Sequence, residues 1–120
     1  MACLAESGFD HFGDEELHAP RLMWSEATSS LHELAWRGTV TTRLAHAALD
    51  RLASAPMVTH AGVDLSKEAW RVAEELGWAK TYDAEYVALA RRLDCRLVTA
   101  DARLRRGASR LVEAVGPAEM

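Results

Sequence analysis

Apolar positions recur along most of this chain at helical spacing, broken by a few short β-branched runs. Over residues 23–37, Met23, Ala27, Leu31, Leu34 and Ala35 share one face, and Arg37-Gly38 supplies a C-terminal stop. From Thr41 or Thr42 onward, Ala45, Ala48, Leu49 and Leu52 form a second stripe, with Pro56 shortly after it. Asp64 and Ser66 offer caps to a third helix, whose Leu65, Ala69, Val72, Ala73 and Leu76 line up before Gly77. A fourth helix, with Thr81 as its expected N-cap, uses Tyr86, Leu89, Ala90 and Leu93. Short strands are expected at Leu17-His18-Ala19, Met57-Val58-Thr59-His60, Leu97-Val98-Thr99 and from Leu111 to Val115, the last closed by Gly116-Pro117. Helices alternating with short apolar strands imply parallel crossovers, hence a layered α/β fold with a short parallel sheet and helices on both faces.

Size and composition narrow the class. A chain of 120 residues can bury one real core, so residues 1–120 are expected to form a single domain. With 49% hydrophobic and 27% charged residues the composition is globular. No apolar run approaches the ~20 residues that span a bilayer, and Met1-Ala2-Cys3-Leu4-Ala5-Glu6 lacks the basic flank of a signal peptide. A cytoplasmic protein with no membrane association is expected. Cys3 and Cys95 are distant and lack a Cys-x-x-Cys partner, which fits reduced thiols, with Cys95 as a small core residue.

The net charge of −4 argues against a protein that coats nucleic acid by charge alone. Its distribution is uneven. Seven arginines (91, 92, 96, 103, 105, 106 and 110) face only Asp94 and Asp101 over residues 91–110, a local excess of five positive charges. That segment is either a solvated helix face or a phosphate-contacting patch.

Three acids stand out. Glu26 follows His18-Ala19-Pro20 and is expected in the first turn of the helix there; Asp83 opens the fourth helix; Asp101 stands where the strand Leu97-Val98-Thr99 stops. Each has a structural alternative, because acids favour the positive end of a helix and Asp is a good N-cap. In a parallel α/β sheet, however, all three fall on the strand-exit side, where ligands bind. Crowded carboxylates repel unless a cation neutralises them, and Mg²⁺ or Mn²⁺ suits such oxygen donors. The five histidines (11, 18, 32, 46 and 60) show no metal-ligand spacing.

The segments Tyr82-Asp83-Ala84-Glu85-Tyr86-Val87-Ala88-Leu89-Ala90 and Leu97-Val98-Thr99-Ala100-Asp101-Ala102-Arg103-Leu104 resemble the two C-terminal motifs of PIN-domain ribonucleases, especially the VapC-type toxins of bacterial toxin–antitoxin pairs. His18-Ala19-Pro20-Arg21-Leu22 followed by Glu26 resembles that family's second motif. The resemblance implies a PIN-like three-layer fold. It further implies a type II toxin that cleaves RNA phosphodiesters with a metal-activated water. Glu26, Asp83 and Asp101 would ligate Mg²⁺ or Mn²⁺, with Thr99 supporting by hydrogen bonding. From charge alone, Arg103, Arg105 and Arg106 would hold the RNA. A homodimer and a cognate antitoxin are the partners the family implies.

One part of the family pattern has no counterpart. PIN domains begin with a central apolar strand ending in aspartate, whereas Met1-Ala2-Cys3-Leu4-Ala5-Glu6-Ser7-Gly8 resembles the helix that normally follows it. The N-terminal central strand is therefore expected to be missing, the assigned start lying downstream of the true one. Asp10 and Asp14 fall in an acidic, Gly-containing stretch with no strand to position them. A competing function is a catalytically impaired PIN-like module that acts by binding its antitoxin. A phosphoacceptor receiver-like domain is set aside, because Lys80 precedes a helix instead of following a late strand. Two aromatic residues mark possible partner surfaces: Trp36 with Ser25, Ser29 and His32 on one helix, and Trp70 with Ser66 and Glu74 on another. The alternative for each Trp is a ring lying flat on its own domain.

Overall fold

A computed structural model describes residues 16–119. The chain divides into two compact units, Met1–Thr59 and His60–Met120. Asp10 and Asp14, set aside above as replacements for a first aspartate, lie outside the described residues, as does Cys3.

The first unit carries β1 (Leu17–Pro20), α1 (Leu22–Trp36), α2 (Thr42–Ser54) and all but the last residue of β2 (Met57–His60), with β1 hydrogen-bonded to β2. Its helices form where the apolar stripes predict them. Ala27 and Leu31 of α1 meet Ala45, Ala48 and Leu52 of α2, and Met23, Trp24, Leu49 and Met57 pack around them. Small residues at the centre let two short helices approach closely. Gly38 adopts a left-handed φ of 75° just past α1, and the Gly38 and Thr39 amides donate to the Ala35 and Leu34 carbonyls at 3.1 and 3.0 Å. That closes the helix as a glycine at this position should. Thr41 then opens α2, its hydroxyl accepting from the Leu44 amide at 3.0 Å.

The second unit carries α3 (Val63–Leu76), α4 (Tyr82–Leu93), β3 (Leu97–Val98), α5 (Ala102–Ala108) and β4 (Ala114–Val115), followed by a 3-10 turn at Pro117–Glu119. Leu65, Ala69, Val72 and Ala73 of α3 pack against Ala84, Val87, Ala88 and Leu89 of α4, with Leu97 and Ala108 completing the core. Two ion pairs rivet the same helices: Arg91 to Glu75 at 3.3 Å and Arg92 to Glu68 at 3.1 Å. The strands β3 and β4 run parallel, Leu97 opposite Ala114 and Val98 opposite Val115. The α/β class expected from the sequence is observed.

Several local expectations are corrected. Leu111 to Val112 is not strand: both amides donate to the Ala108 carbonyl, extending the helix end, and β4 is limited to Ala114–Val115. Asp64 and Ser66 do not cap α3, which starts from Gly62 at φ 116°, and Thr81 makes no side-chain cap for α4. Cys95 is exposed, not core. Partial desolvation of its sulfur, then the neighbouring Asp94 carboxylate, raises the thiol pKa. Trp36 is 83% and Trp70 64% exposed, so neither ring lies flat on its own unit. Among the described residues no helix is long and apolar enough to cross a membrane.

One close approach was invisible in the pattern. A Cβ added at Gly107 would stand 2.8 Å from Trp78 Cζ2, so only glycine lets α5 lie against that half-buried ring. Gly107→Ala should destabilise the second unit by about 1–3 kcal/mol, the usual range for overpacking. Chemical denaturation followed by tryptophan fluorescence measures it. An unchanged midpoint would show that the ring yields freely.

Candidate active site

Asp101 is the best-defined of the predicted acids. The chain leaves β3 at Val98, and the Thr99 amide donates to the Val115 carbonyl at 3.0 Å, extending the parallel ladder by one bond. The Thr99 hydroxyl then accepts from the Asp101 amide at 3.1 Å. Asp101 is the N-cap of α5, and its Oδ1 accepts from the amides of Arg103 (2.9 Å) and Leu104 (3.3 Å). These bonds satisfy two of the amides that a helix start leaves without partners. Its second oxygen, Oδ2, makes no hydrogen bond among the described residues, and the side chain is exposed. Capping thus occupies one oxygen of this acid and leaves the other without a hydrogen bond among the described residues. Thr99 orients Asp101 through the backbone.

Asp83 occupies the first turn of α4, is exposed, and has no polar partner among the described residues. Its environment differs from that of Asp101, because the end of α4 is not closed by a side chain. Both acids belong to the second unit, and both stand where a helix dipole favours negative charge. Glu26 belongs to the first unit and is half-buried. It is the fifth residue of α1, so its expected place in the first turn is corrected: the chain turns into helix at Leu22, straight after Pro20 and Arg21. Among the described residues of either unit, no three His, Cys, Asp or Glu side chains form a group that would hold a metal ion.

The arginine-rich segment resolves into two populations. Arg91 and Arg92 are committed to acids of α3, and Arg105 Nη1 donates to Glu119 Oε1 at 2.7 Å. Arg103 and Arg106 are exposed on α5 with no ion-pair partner among the described residues. The partner of Arg105 carries no sequence signal, since pairing across a helix, a strand and a turn follows no short-range spacing.

A groove between α1 and α2 in the first unit is lined by Leu31, Ala35, Trp36, Ala45, Leu49 and His46, with a volume of about 460 Å³. His32 stacks on Trp36 at its rim, ring centroids 6.3 Å apart. Of the four residues that the sequence grouped on the polar face of this helix, His32 and Trp36 line the groove and Ser25 and Ser29 do not.

Residues 5–109 match the sequence profile of the PIN domain. Over 90 residues the chain is 39% identical to a VapC ribonuclease of Mycobacterium bovis and to ribonuclease VapC9 of Mycobacterium tuberculosis, a match covering 75% of this chain and 68% of each relative. The acids that open α4 and α5, and the Thr99–Asp101 bond between them and β3, thus sit in a chain that belongs to the PIN-domain family, in its VapC-like branch.

Proposed function

We propose that this chain is a Mg²⁺- or Mn²⁺-dependent endoribonuclease, the toxin of a type II toxin–antitoxin pair, with residues 1–120 acting as a single PIN-like domain in the cytoplasm. The observation that carries it is the state of Asp83 and Asp101: two exposed carboxylates at helix starts in one unit, each with oxygen left for a ligand. The naming of the relatives as ribonucleases supports the substrate class.

Oxygen-only donors fit a hard divalent ion. Glu26, Asp83 and Asp101 would hold it, and when bound it would activate water and offset charge on the phosphate. The residues' own parts follow from their surroundings. Oδ1 of Asp101 fixes the carboxylate to α5, leaving Oδ2 for a ligand, and Thr99 holds the Asp101 amide at the cap. Arg103, Arg105 and Arg106 supply cationic contacts for the RNA backbone.

A partner-binding role is favoured by a separate observation. The apolar groove beside Trp36 and His32 suits an antitoxin segment, since exposed Trp is a common interface anchor. A homodimer is the further partner expected of the family. Antitoxin capture without RNA cleavage would favour the alternative, a catalytically impaired module.

Asp83→Asn and Asp101→Asn should each abolish Mn²⁺-dependent RNA cleavage, measured on purified RNA by gel electrophoresis, while the fold is kept. Cleavage at the parent rate in either variant would remove that residue from the site. Two changes at Asp101 separate its roles. Asp101→Asn retains an acceptor for the α5 amides and should leave stability nearly unchanged, whereas Asp101→Ala should lose about 0.5–2 kcal/mol with the cap. Equal melting temperatures for the two would contradict the cap.

A further inference from the structure

Glu119 meets Arg105 in a way that the ribonuclease reading leaves unexplained. Its Oε1 accepts from Arg105 Nη1 at 2.7 Å and from the Gly116 amide at 3.4 Å, while the Glu119 amide donates to the Gly116 carbonyl at 3.0 Å. The carboxylate is thus held by the guanidinium and by the amide that precedes the turn, with less freedom than an ordinary surface acid. Gly116 leaves room for the pair. A Cβ there would stand 3.1 Å from Arg105 Nη1 and 3.4 Å from Glu119 Oε1. The side chains of Arg105 and Glu119 are 39% and 55% exposed, so an incoming anion can reach the guanidinium.

Carboxylate and phosphate present similar oxygens to a guanidinium, and Arg binds either through charge-assisted hydrogen bonds. Arg105 shares α5 with Arg103 and Arg106, which are exposed and lack ion-pair partners among the described residues. The same helix is capped by Asp101. A phosphodiester drawn to this helix meets two available arginines and one already occupied.

We infer that Glu119 is an internal stand-in for an RNA phosphate, holding the Arg105 guanidinium until a backbone phosphate displaces it. The inference rests on the proposal that α5 contacts RNA. Its consequence is a protein that binds RNA less tightly than its arginines allow, with a specific acid setting the deficit. An exposed ion pair changes an equilibrium by up to about fivefold, which bounds the effect.

The test is fluorescence anisotropy of a short labelled single-stranded RNA in EDTA, over a series of salt concentrations. Glu119→Gln should tighten binding by up to about fivefold and steepen the log–log salt slope by about 0.7, the value of one single-strand phosphate contact. Arg105→Ala should weaken binding, and adding Glu119→Gln to it should give no further gain. An equal gain with and without Arg105 would overturn the inference, because Glu119 would then act only as a distant negative charge. Weaker binding in Arg105→Ala, with no gain in Glu119→Gln, would overturn it while leaving the RNA contact standing. No effect of Arg105→Ala would remove the RNA contact and the inference with it. Circular dichroism of each variant separates these results from loss of fold.

Discussion

A seven-residue helix does not hold itself together in water, so α5 depends on what is bound to its ends. The carboxylate of Asp101 closes the first turn, and Gly107 lets the last turn lie against Trp78. Upstream, the Thr99 amide is tied to Val115 of β4 and its hydroxyl to the Asp101 amide. The position of one acid thus follows from a chain of short bonds running from the parallel β3–β4 ladder to the start of α5. Had Asp101 been an unattached surface acid, nothing would hold its free oxygen in one place.

That dependence explains which features the sequence shows. Stripes of small and branched apolar residues set α1 to α4, because burial on one helix face recurs every three or four positions, as at Leu65, Ala69, Val72 and Leu76. Gly38 and Gly77 stop their helices through left-handed backbone that glycine adopts most easily. The cap at Asp101 was legible, since an Asp placed where a strand stops and a helix starts is a favoured N-cap, and its role as a ligand belongs to the proposed function. Less was visible where nonlocal partners decide. Leu111 and Val112 look like strand, yet their amides find the Ala108 carbonyl first. Glu26 was placed one turn too early because Arg21, without a capping side chain, opens α1. Cys95 follows a helix that ends on Asp94 in left-handed conformation, which leaves the thiol at the surface.

Charge counting misleads in a similar way. Seven arginines between residues 91 and 110 suggest a single basic patch, but Arg91 and Arg92 spend their charge on Glu75 and Glu68 of α3, and Arg105 on Glu119. Of the arginines without an ion pair among the described residues, Arg103 and Arg106 lie on α5, in the helix that Asp101 caps, and Arg110 lies just past its end. In the first unit, the exposed Trp36 with its stacked His32 provides a surface of different chemistry, apolar and suited to protein contact. The proposed function uses both kinds of surface, one for RNA and one for a protein partner.

The central claim is that Asp83 and Asp101 present oxygens to a divalent ion. Titrating Mn²⁺ into the isotope-labelled protein and following paramagnetic broadening of its amide resonances tests this without relying on catalysis. Selective broadening should begin at Asp83, Ala84 and residues 99–104, and should vanish there when either aspartate is changed to asparagine. Broadening centred instead on Glu16 and His18, or spread evenly over the surface acids, would contradict the account.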